Sequence, residues 1–175
     1  MDGKMKEQSG FTLVELMVVV SITVLLLAWG IPSYSTWSKK HNIESQMVQL
    51  YSDLQFGRMT AYSSKAVSGV YWGGGTSITQ YWIKSDKNSN NTIDDNVDAT
   101  IGAKVTPKFA ITSSASQNSV SFDGRGFLNI VNSGDPAPAV TFYVAPSYGA
   151  GMDCVAVTST RITLGKMSGG SCAPK

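Results

Sequence analysis

The chain has 175 residues, enough for one compact domain with an appendage, and a second full domain is not expected. Lys and Arg number 14 against 12 Asp and Glu, and charged residues make up 15% of the sequence, so bulk electrostatic capture of nucleic acid is not expected. The composition, with 17 Gly among many polar and aromatic residues, also excludes a coiled coil, collagen and wholesale disorder.

The first predicted element is an apolar helix over residues 11–31, in which Glu15 is the one charged residue. At about 1.5 Å per residue this helix crosses a hydrocarbon core of about 30 Å once. A buried helix of a soluble protein is less favoured, because the remaining chain has little core to surround it. Ala28 and Gly30 resemble the cleavage site of a secretory signal peptide. Cleavage at Gly30 is disfavoured, since the apolar run is too long and contains Glu15, and the helical pattern continues past Pro32.

Glu15 needs a partner of opposite charge. An acid at the centre of a membrane helix costs roughly 2.5 to 3.5 kcal/mol on insertion scales. The apolar run contains no basic residue, so the partner comes from another chain, a lipid headgroup or a newly created amino terminus. A polar leader, residues 1–10, ends in Gly10 directly before Phe11, and cleavage there would place an α-amine on Phe11.

The polar leader, Gly10 and the FTLVE sequence of residues 11–15 resemble the prepilin signature of type IV pilins and type II secretion pseudopilins. The resemblance implies that a prepilin peptidase cuts after Gly10 and methylates the amine of Phe11. It implies that Glu15 pairs with the Phe11 amine of a neighbouring subunit, which offsets part of the desolvation of both charges. It further implies a helix kink at Pro32, a cytoplasmic leader, and insertion in the bacterial inner membrane with an exported head.

Apolar residues recur at helical spacing after Pro32, at Ile43, Met47, Leu50, Tyr51 and Leu54. This pattern predicts an amphipathic helix over residues 32–64 that packs one face against a sheet of the same chain and ends near Ser63 or Ser64.

Short apolar segments separated by turn residues predict an antiparallel β head of six or seven strands over residues 65–175. Segments 67–72 and 77–84 are expected to form a hairpin around the turn at residues 73–75. The other predicted strands are 104–111, 119–122, 127–131, 140–145 and 154–164, the last with a possible internal turn.

A loop rich in Asp and Asn follows the predicted hairpin and has the spacing of a calcium-binding loop. Its candidate oxygen ligands are Asp86, Asn88, Asn90, Thr92 and Asp94, with Asp95 and Asp98 as substitutes for the acid that Val97 replaces. Asn91 stands where such loops prefer glycine. A solvated loop of turn-forming residues is the alternative, and no other cofactor is expected.

The two cysteines, Cys154 and Cys172, are expected to form a disulfide in an exported head. Closing a loop of this size contributes about 3 kcal/mol in the chain-entropy model and would pin the Gly- and Ser-rich tail to a strand. A zinc site is disfavoured, because the chain has no second cysteine pair and only one distant His. The spacing is not that of a C-x-x-C redox enzyme either.

The turn at residues 122–127 and the Asp/Asn-rich loop after Trp82 resemble elements of GspH/FimT-type minor pseudopilins. The resemblance implies an α+β, pilin-like fold with a long N-terminal helix on an antiparallel sheet. It implies a subunit that primes, caps or decorates a type IV pilus or a type II secretion pseudopilus through contacts with other subunits. No enzymatic activity is expected, because no Ser or Cys has an identifiable base.

Two other functions are weighed against this hypothesis. DNA capture by the head would use Arg125, Arg161 and Lys166. However, residues 160–163 read TRIT where DNA-binding FimT-type pilins carry a Gly-Arg-x-Arg motif. A single-pass anchored surface protein that never assembles is the third hypothesis, and it predicts an intact leader or no dependence on Glu15.

Overall fold

The computed structural model describes residues 10–94, 96–114, 118–129 and 139–175. The chain divides into two compact units, Met1–Ser38 and Lys39–Lys175, and the helix α1 (Leu13–Ser64) contributes to both. The predicted end of the helix is therefore confirmed. The helix stops there because Lys65 takes a positive φ of 55°, a left-handed conformation that cannot continue an α-helix.

In the first unit, the apolar side chains of α1 are exposed. From Leu13 to Leu27 the large apolar side chains are 51–76% exposed. The most apolar window of the helix has a mean hydropathy of 2.4, and none of it is buried. The hydroxyls of Ser21 and Thr23 donate to the carbonyls of Met17 and Val19, so these polar groups are satisfied within the helix, as a lipid environment requires. By length and composition this segment is able to cross a membrane.

The second unit contains the rest of α1 and eleven described strands, all paired antiparallel. The strands are β1 (Ser68–Tyr71), β2 (Ser77–Ile78), β3 (Tyr81–Ser85), β4 (Ala99–Val105), β5 (Ile111–Ser113), β6 (Ser119–Phe122), β7 (Leu128–Asn129), β8 (Ala139–Tyr143), β9 (Cys154–Thr158), β10 (Ile162–Ser168) and β11 (Ser171–Pro174). They form a five-stranded sheet in the order β4-β3-β1-β6-β7 and a six-stranded sheet in the order β11-β10-β9-β8-β5-β2.

The α+β fold with an antiparallel head is confirmed, but the predicted strand count of six or seven is wrong. Two of the described strands, β2 and β7, have only two residues each, too short to give an alternating pattern in the sequence. The strand expected over 104–111 is also wrong, because β4 ends at Val105 and β5 begins at Ile111. Pro107 lies between them and has no N–H to donate to a ladder.

The predicted hairpin is present as the β1–β3 pair, in which Ser68 lies opposite Ser85 and Tyr71 opposite Trp82. The connection between the two strands is not a simple turn, because it contains the strand β2. Within it, β2 pairs with β5 of the other sheet, so this one segment links both sheets.

The core of the second unit confirms the apolar helix face predicted from the spacing. Ile43, Met47, Leu50 and Leu54 are at most 1% exposed, whereas Tyr51 is only partly buried. They belong to one cluster with residues of both sheets. Burying each such side chain contributes about 1.5–3 kcal/mol.

Candidate functional site

The predicted cleavage site, Gly10–Phe11, lies outside the helix and is exposed among the described residues. Gly10 and Phe11 precede α1, Phe11 is 83% exposed, and nothing lies within 4 Å of a Cβ built on Gly10. The remainder of the leader, residues 1–9, lies outside the described residues. A peptidase that needs an extended peptide at the Gly10–Phe11 bond would therefore meet no helical structure there.

Glu15 has a role at the helix start that the sequence analysis missed. Its backbone N–H donates to the Thr12 hydroxyl at 3.2 Å, so Thr12 caps the helix and Glu15 lies in the first turn. A carboxylate there interacts favourably with the helix dipole. The signal was present in the sequence, because Thr12-x-x-Glu15 has the spacing of a capping box. The Glu15 side chain is exposed, and no basic residue occurs between Phe11 and Ile31.

The predicted calcium loop is held together by its own carboxylates. Asp86 accepts the N–H groups of Ser89 and Asn91, at 2.7 and 2.8 Å. Asp98 accepts the N–H groups of Lys87 and Asp94, at 3.0 and 2.6 Å. Four carboxylate oxygens are thus each bound to a backbone amide.

The side chains of Asn90, Thr92 and Asp94 complete this loop by bonding one another. Asn88 accepts the N–H of Asn90 at 3.1 Å, and Asp95 lies outside the described residues. Across the described ranges no group of three or more His, Cys, Asp or Glu is placed to hold a metal ion. Calcium binding stays a prediction, and it is contradicted if a chelator leaves the thermal midpoint of the full chain unchanged.

The disulfide between Cys154 and Cys172 is confirmed, with Cα atoms 5.9 Å apart. The tail that it was expected to pin is itself regular structure, because β10 and β11 pair through a turn at Gly169 and Gly170. Both glycines have positive φ, of 56° and 84°. The disulfide joins β9 to β11, which lie on either side of β10 in the sheet.

Two of the three cations predicted for DNA lie in turns whose segments are joined by a backbone hydrogen bond. Arg125 lies in the β6–β7 turn and Arg161 in the β9–β10 turn, and Leu128 N–H, at the start of β7, donates to the Ser159 carbonyl of the second turn at 3.1 Å. Lys166 lies further along β10, opposite Ala173. Nothing in this arrangement tests DNA binding, which stays a prediction.

The turn that carries Arg125 is organised by Asp123. Its carboxylate accepts the backbone N–H groups of Arg125 and Phe127, each at 2.9 Å, and forms an ion pair with the Arg125 guanidinium at 2.9 Å. Partial desolvation raises the pKa of Asp123, but the hydrogen bond from Phe127 and the interactions with Arg125 outweigh it, so the pKa lies below its ordinary value.

Comparisons with known proteins agree with this anatomy. Residues 5–31 match the prokaryotic N-terminal methylation motif, and residues 46–163 match the family described as Type II transport protein GspH. The type IV pilus subunit protein TapA of Aeromonas hydrophila is 53% identical over 36 residues, which are 21% of this chain and 25% of that protein. The chain therefore spans about a quarter of the length of this curated relative.

Two crystal structures of the type IV minor pilin FimU of Pseudomonas aeruginosa share the fold. Their TM-scores are 0.52 and 0.54, at sequence identities of 15% and 13%. The superpositions cover 74% and 78% of this chain and 95% and 96% of FimU. Identities this low show a likeness of fold alone.

Proposed function

Since the chain belongs to the family of Type II transport protein GspH, we propose that it is a filament subunit, a minor pilin or pseudopilin. Its work is to prime, cap or decorate a type IV pilus or a type II secretion pseudopilus, without catalysing a reaction. One observation carries the proposal. A long apolar helix segment exposes its side chains, contains a single acid, and directly follows an open prepilin cleavage sequence.

In this proposal the domains act in chain order. A prepilin peptidase removes the leader 1–10 after Gly10 and methylates the Phe11 amine. The helix half 11–31 then holds the subunit in the inner membrane and later lies in the filament core, while the amphipathic half 32–64 supports the exported head 65–175. Other pilin or pseudopilin subunits are the partners.

The charge of Glu15 provides the energetic reason to assemble. In the bilayer, the carboxylate carries an insertion cost of up to roughly 2.5 to 3.5 kcal/mol. A neighbouring subunit offers the positively charged Phe11 amine, and attraction between the two charges in low dielectric offsets part of their desolvation. The subunit thus stays in the membrane until a growing filament supplies this partner.

Processing is tested by the intact mass of the protein extracted from membranes. We expect the mass of residues 11–175 plus one methyl group. A mass that still includes residues 1–10 contradicts the proposal, as does a soluble head trimmed at Gly30.

Assembly is tested by Glu15→Val, with Thr23→Val as a matched control in the same helix segment. Both variants should insert in the membrane, because both make the segment more apolar. Only Glu15→Val should be missing from sheared filaments. Normal incorporation of Glu15→Val would contradict the assembly role of Glu15, whereas absence of the wild-type chain from filaments would favour the anchored surface protein that never assembles.

A further inference from the structure

A positively charged surface with exposed rings lies where the end of α1 meets the β6–β7 turn, and the β9–β10 turn is bonded to the start of β7 beside it. We refer to it as the basic aromatic patch. It consists of Arg58, Tyr62, Lys65, Arg125, Phe127 and Arg161. Arg58 and Tyr62 are spaced i and i+4 on one side of the end of α1, and Lys65 follows the helix with its Nζ 3.9 Å from the Tyr62 ring centroid.

Two glycines bring the β6–β7 turn against the end of the helix. A Cβ on Gly124 would lie 2.9 Å from the carbonyl carbon of Lys65, so only glycine allows this approach. A Cβ on Gly126 would lie 3.5 Å from the Arg58 Nε atom, so the Arg58 side chain runs alongside the turn. Arg125 and Phe127 of the turn are therefore neighbours of the helix end.

The patch carries little negative charge of its own. No acidic residue occurs from Phe56 to Lys65 of the sequence. In the β6–β7 turn, the one carboxylate is that of Asp123, which is already bonded to Arg125 and to two backbone N–H groups. The Arg125 side chain is nevertheless 80% exposed, and Lys65 and Arg161 are exposed as well.

Apolar surface accompanies these cations. Tyr62 is 60% exposed and Phe127 is 44% exposed, and Met59, one helical turn before Tyr62, is 72% exposed. Each ring makes a cation–π contact. Lys65 Nζ lies 3.9 Å from the Tyr62 ring centroid, and Arg125 Cζ lies 5.6 Å from the Phe127 ring centroid. Such contacts orient the charges toward the same surface as the rings.

The conformation of Lys65 is an observed outlier within the patch. Its φ of 55° at the end of a helix is the position where glycine is preferred. A residue held in the left-handed region costs of order 1–3 kcal/mol and persists where the surroundings fix it. Here the close packing of Gly124 fixes the Lys65 backbone while its ammonium covers Tyr62.

We infer that the basic aromatic patch binds an acidic, partly apolar segment of another filament subunit, an inference that rests on the proposed function. Complementary charge selects the carboxylates of the partner. Arg, Tyr, Phe and Met are enriched in protein interfaces, and Tyr and Arg recur among their strongest contacts. A nucleic acid fits less well, because cations already cover one face of each ring and the exposed Met59 has no counterpart on a phosphate backbone.

The test in cells uses the full chain with both turn cations reversed, Arg125→Glu with Arg161→Glu. Lys87→Glu with Lys108→Glu is the matched control, since these exposed cations lie outside the patch. We expect the patch variant to reach the membrane normally and to fall about tenfold in filaments, a loss of about 1.4 kcal/mol. The control and the conservative pair Arg125→Lys with Arg161→Lys should incorporate normally.

The outcomes separate this inference from the proposed function. If the patch variant incorporates normally while Glu15→Val fails, the patch inference is overturned and the filament subunit stands. If the wild-type chain is itself absent from sheared filaments, the proposed function fails. An unchanged thermal midpoint of the patch variant shows that its loss is not a loss of folding.

The class of partner is tested with the purified full chain in detergent and two labelled probes. One is a synthetic peptide of glutamates around a central leucine, and the other is a single-stranded oligonucleotide. We expect salt-sensitive binding of the peptide that is lost in Arg125→Glu with Arg161→Glu and kept in the control pair. Binding of the oligonucleotide without binding of the peptide overturns the inference.

Discussion

The two halves of α1 use similar apolar side chains in opposite ways. Between Leu13 and Leu27 these side chains are 51–76% exposed, whereas Ile43 and Leu54 of the same helix are fully buried in the head. The difference shows that the second half is stabilised by packing against the sheets of its own chain. Among the described residues of its unit, the first half has no comparable packing contacts. Apolar exposure on this scale is typical of a surface that contacts lipid or other helices.

The largest expected difference between the two halves is in the free energy of unfolding when one leucine in each half is replaced by alanine. Leu54→Ala should lower the free energy of unfolding of the head by about 2–5 kcal/mol, because it leaves a cavity in the core. Leu26→Ala, at a site 70% exposed, should leave it unchanged. Denaturant unfolding of the full chain in detergent, followed by tryptophan fluorescence, measures both. Equal losses would remove the distinction between the halves.

The disulfide gives the next largest effect, and it belongs to the head alone. Replacing Cys154 and Cys172 by Ser should lower the free energy of unfolding by about 3 kcal/mol, since the unfolded chain loses a constraint. Reducing the wild-type protein should produce the same shift, while the exposed helix half should still insert in membranes. A stability unaffected by reduction would contradict this prediction.

A buried tyrosine ties α1 to the sheet and makes the head sensitive to alkali. The Tyr81 hydroxyl donates to Asp53 Oδ2 at 2.7 Å. Burial, followed by the hydrogen bond and charge of Asp53, raises the pKa of Tyr81 far above its ordinary value of 10.0. The folded state therefore keeps a proton that the unfolded state releases, so this contribution to stability is complete below about pH 10 and is lost as the pH rises further.

Tyr81→Phe tests this contact. It removes a hydrogen bond worth about 0.5–1.5 kcal/mol at neutral pH and should flatten the fall in stability above about pH 10. Unfolding curves at several alkaline pH values measure the slope, and absorbance of tyrosinate reports ionisation. A wild-type head in which every tyrosine ionises near pH 10 while still folded would refute the assignment.

The smallest expected effect lies in the exposed β6–β7 turn. Asp123→Asn should cost at most about 1 kcal/mol, because an amide oxygen still accepts the backbone N–H groups. The pKa of Asp123 is lowered, so its charge contributes stability above the unfolded value of about 3.9, and this is lost as the pH falls through the lower folded value. Thermal midpoints between acid and neutral pH should therefore differ less in the variant than in the wild type.

The sequence by itself determined the features that depend on neighbours along the chain. The apolar run, the acid within it and the predicted cleavage site all lie in residues 10–31, and the end of α1 follows from one helical periodicity. The disulfide could also be predicted from the sequence, since only two cysteines are present. Local spacing decides these features because helices are built from contacts three and four residues apart.

Only the tertiary structure decided how the strands are shared between two sheets and which cations meet. The two-residue strand β2 leaves its hairpin for the other sheet, a choice fixed by partners far away in the sequence. Gly124 and Gly126 pack closely against Lys65 and Arg58, and the Leu128–Ser159 hydrogen bond joins the start of β7 to the turn that carries Arg161, so three distant segments are brought together. Contacts between segments so far apart produce no periodic pattern in the sequence, because each depends on how closely two backbones approach and not on the spacing of side chains.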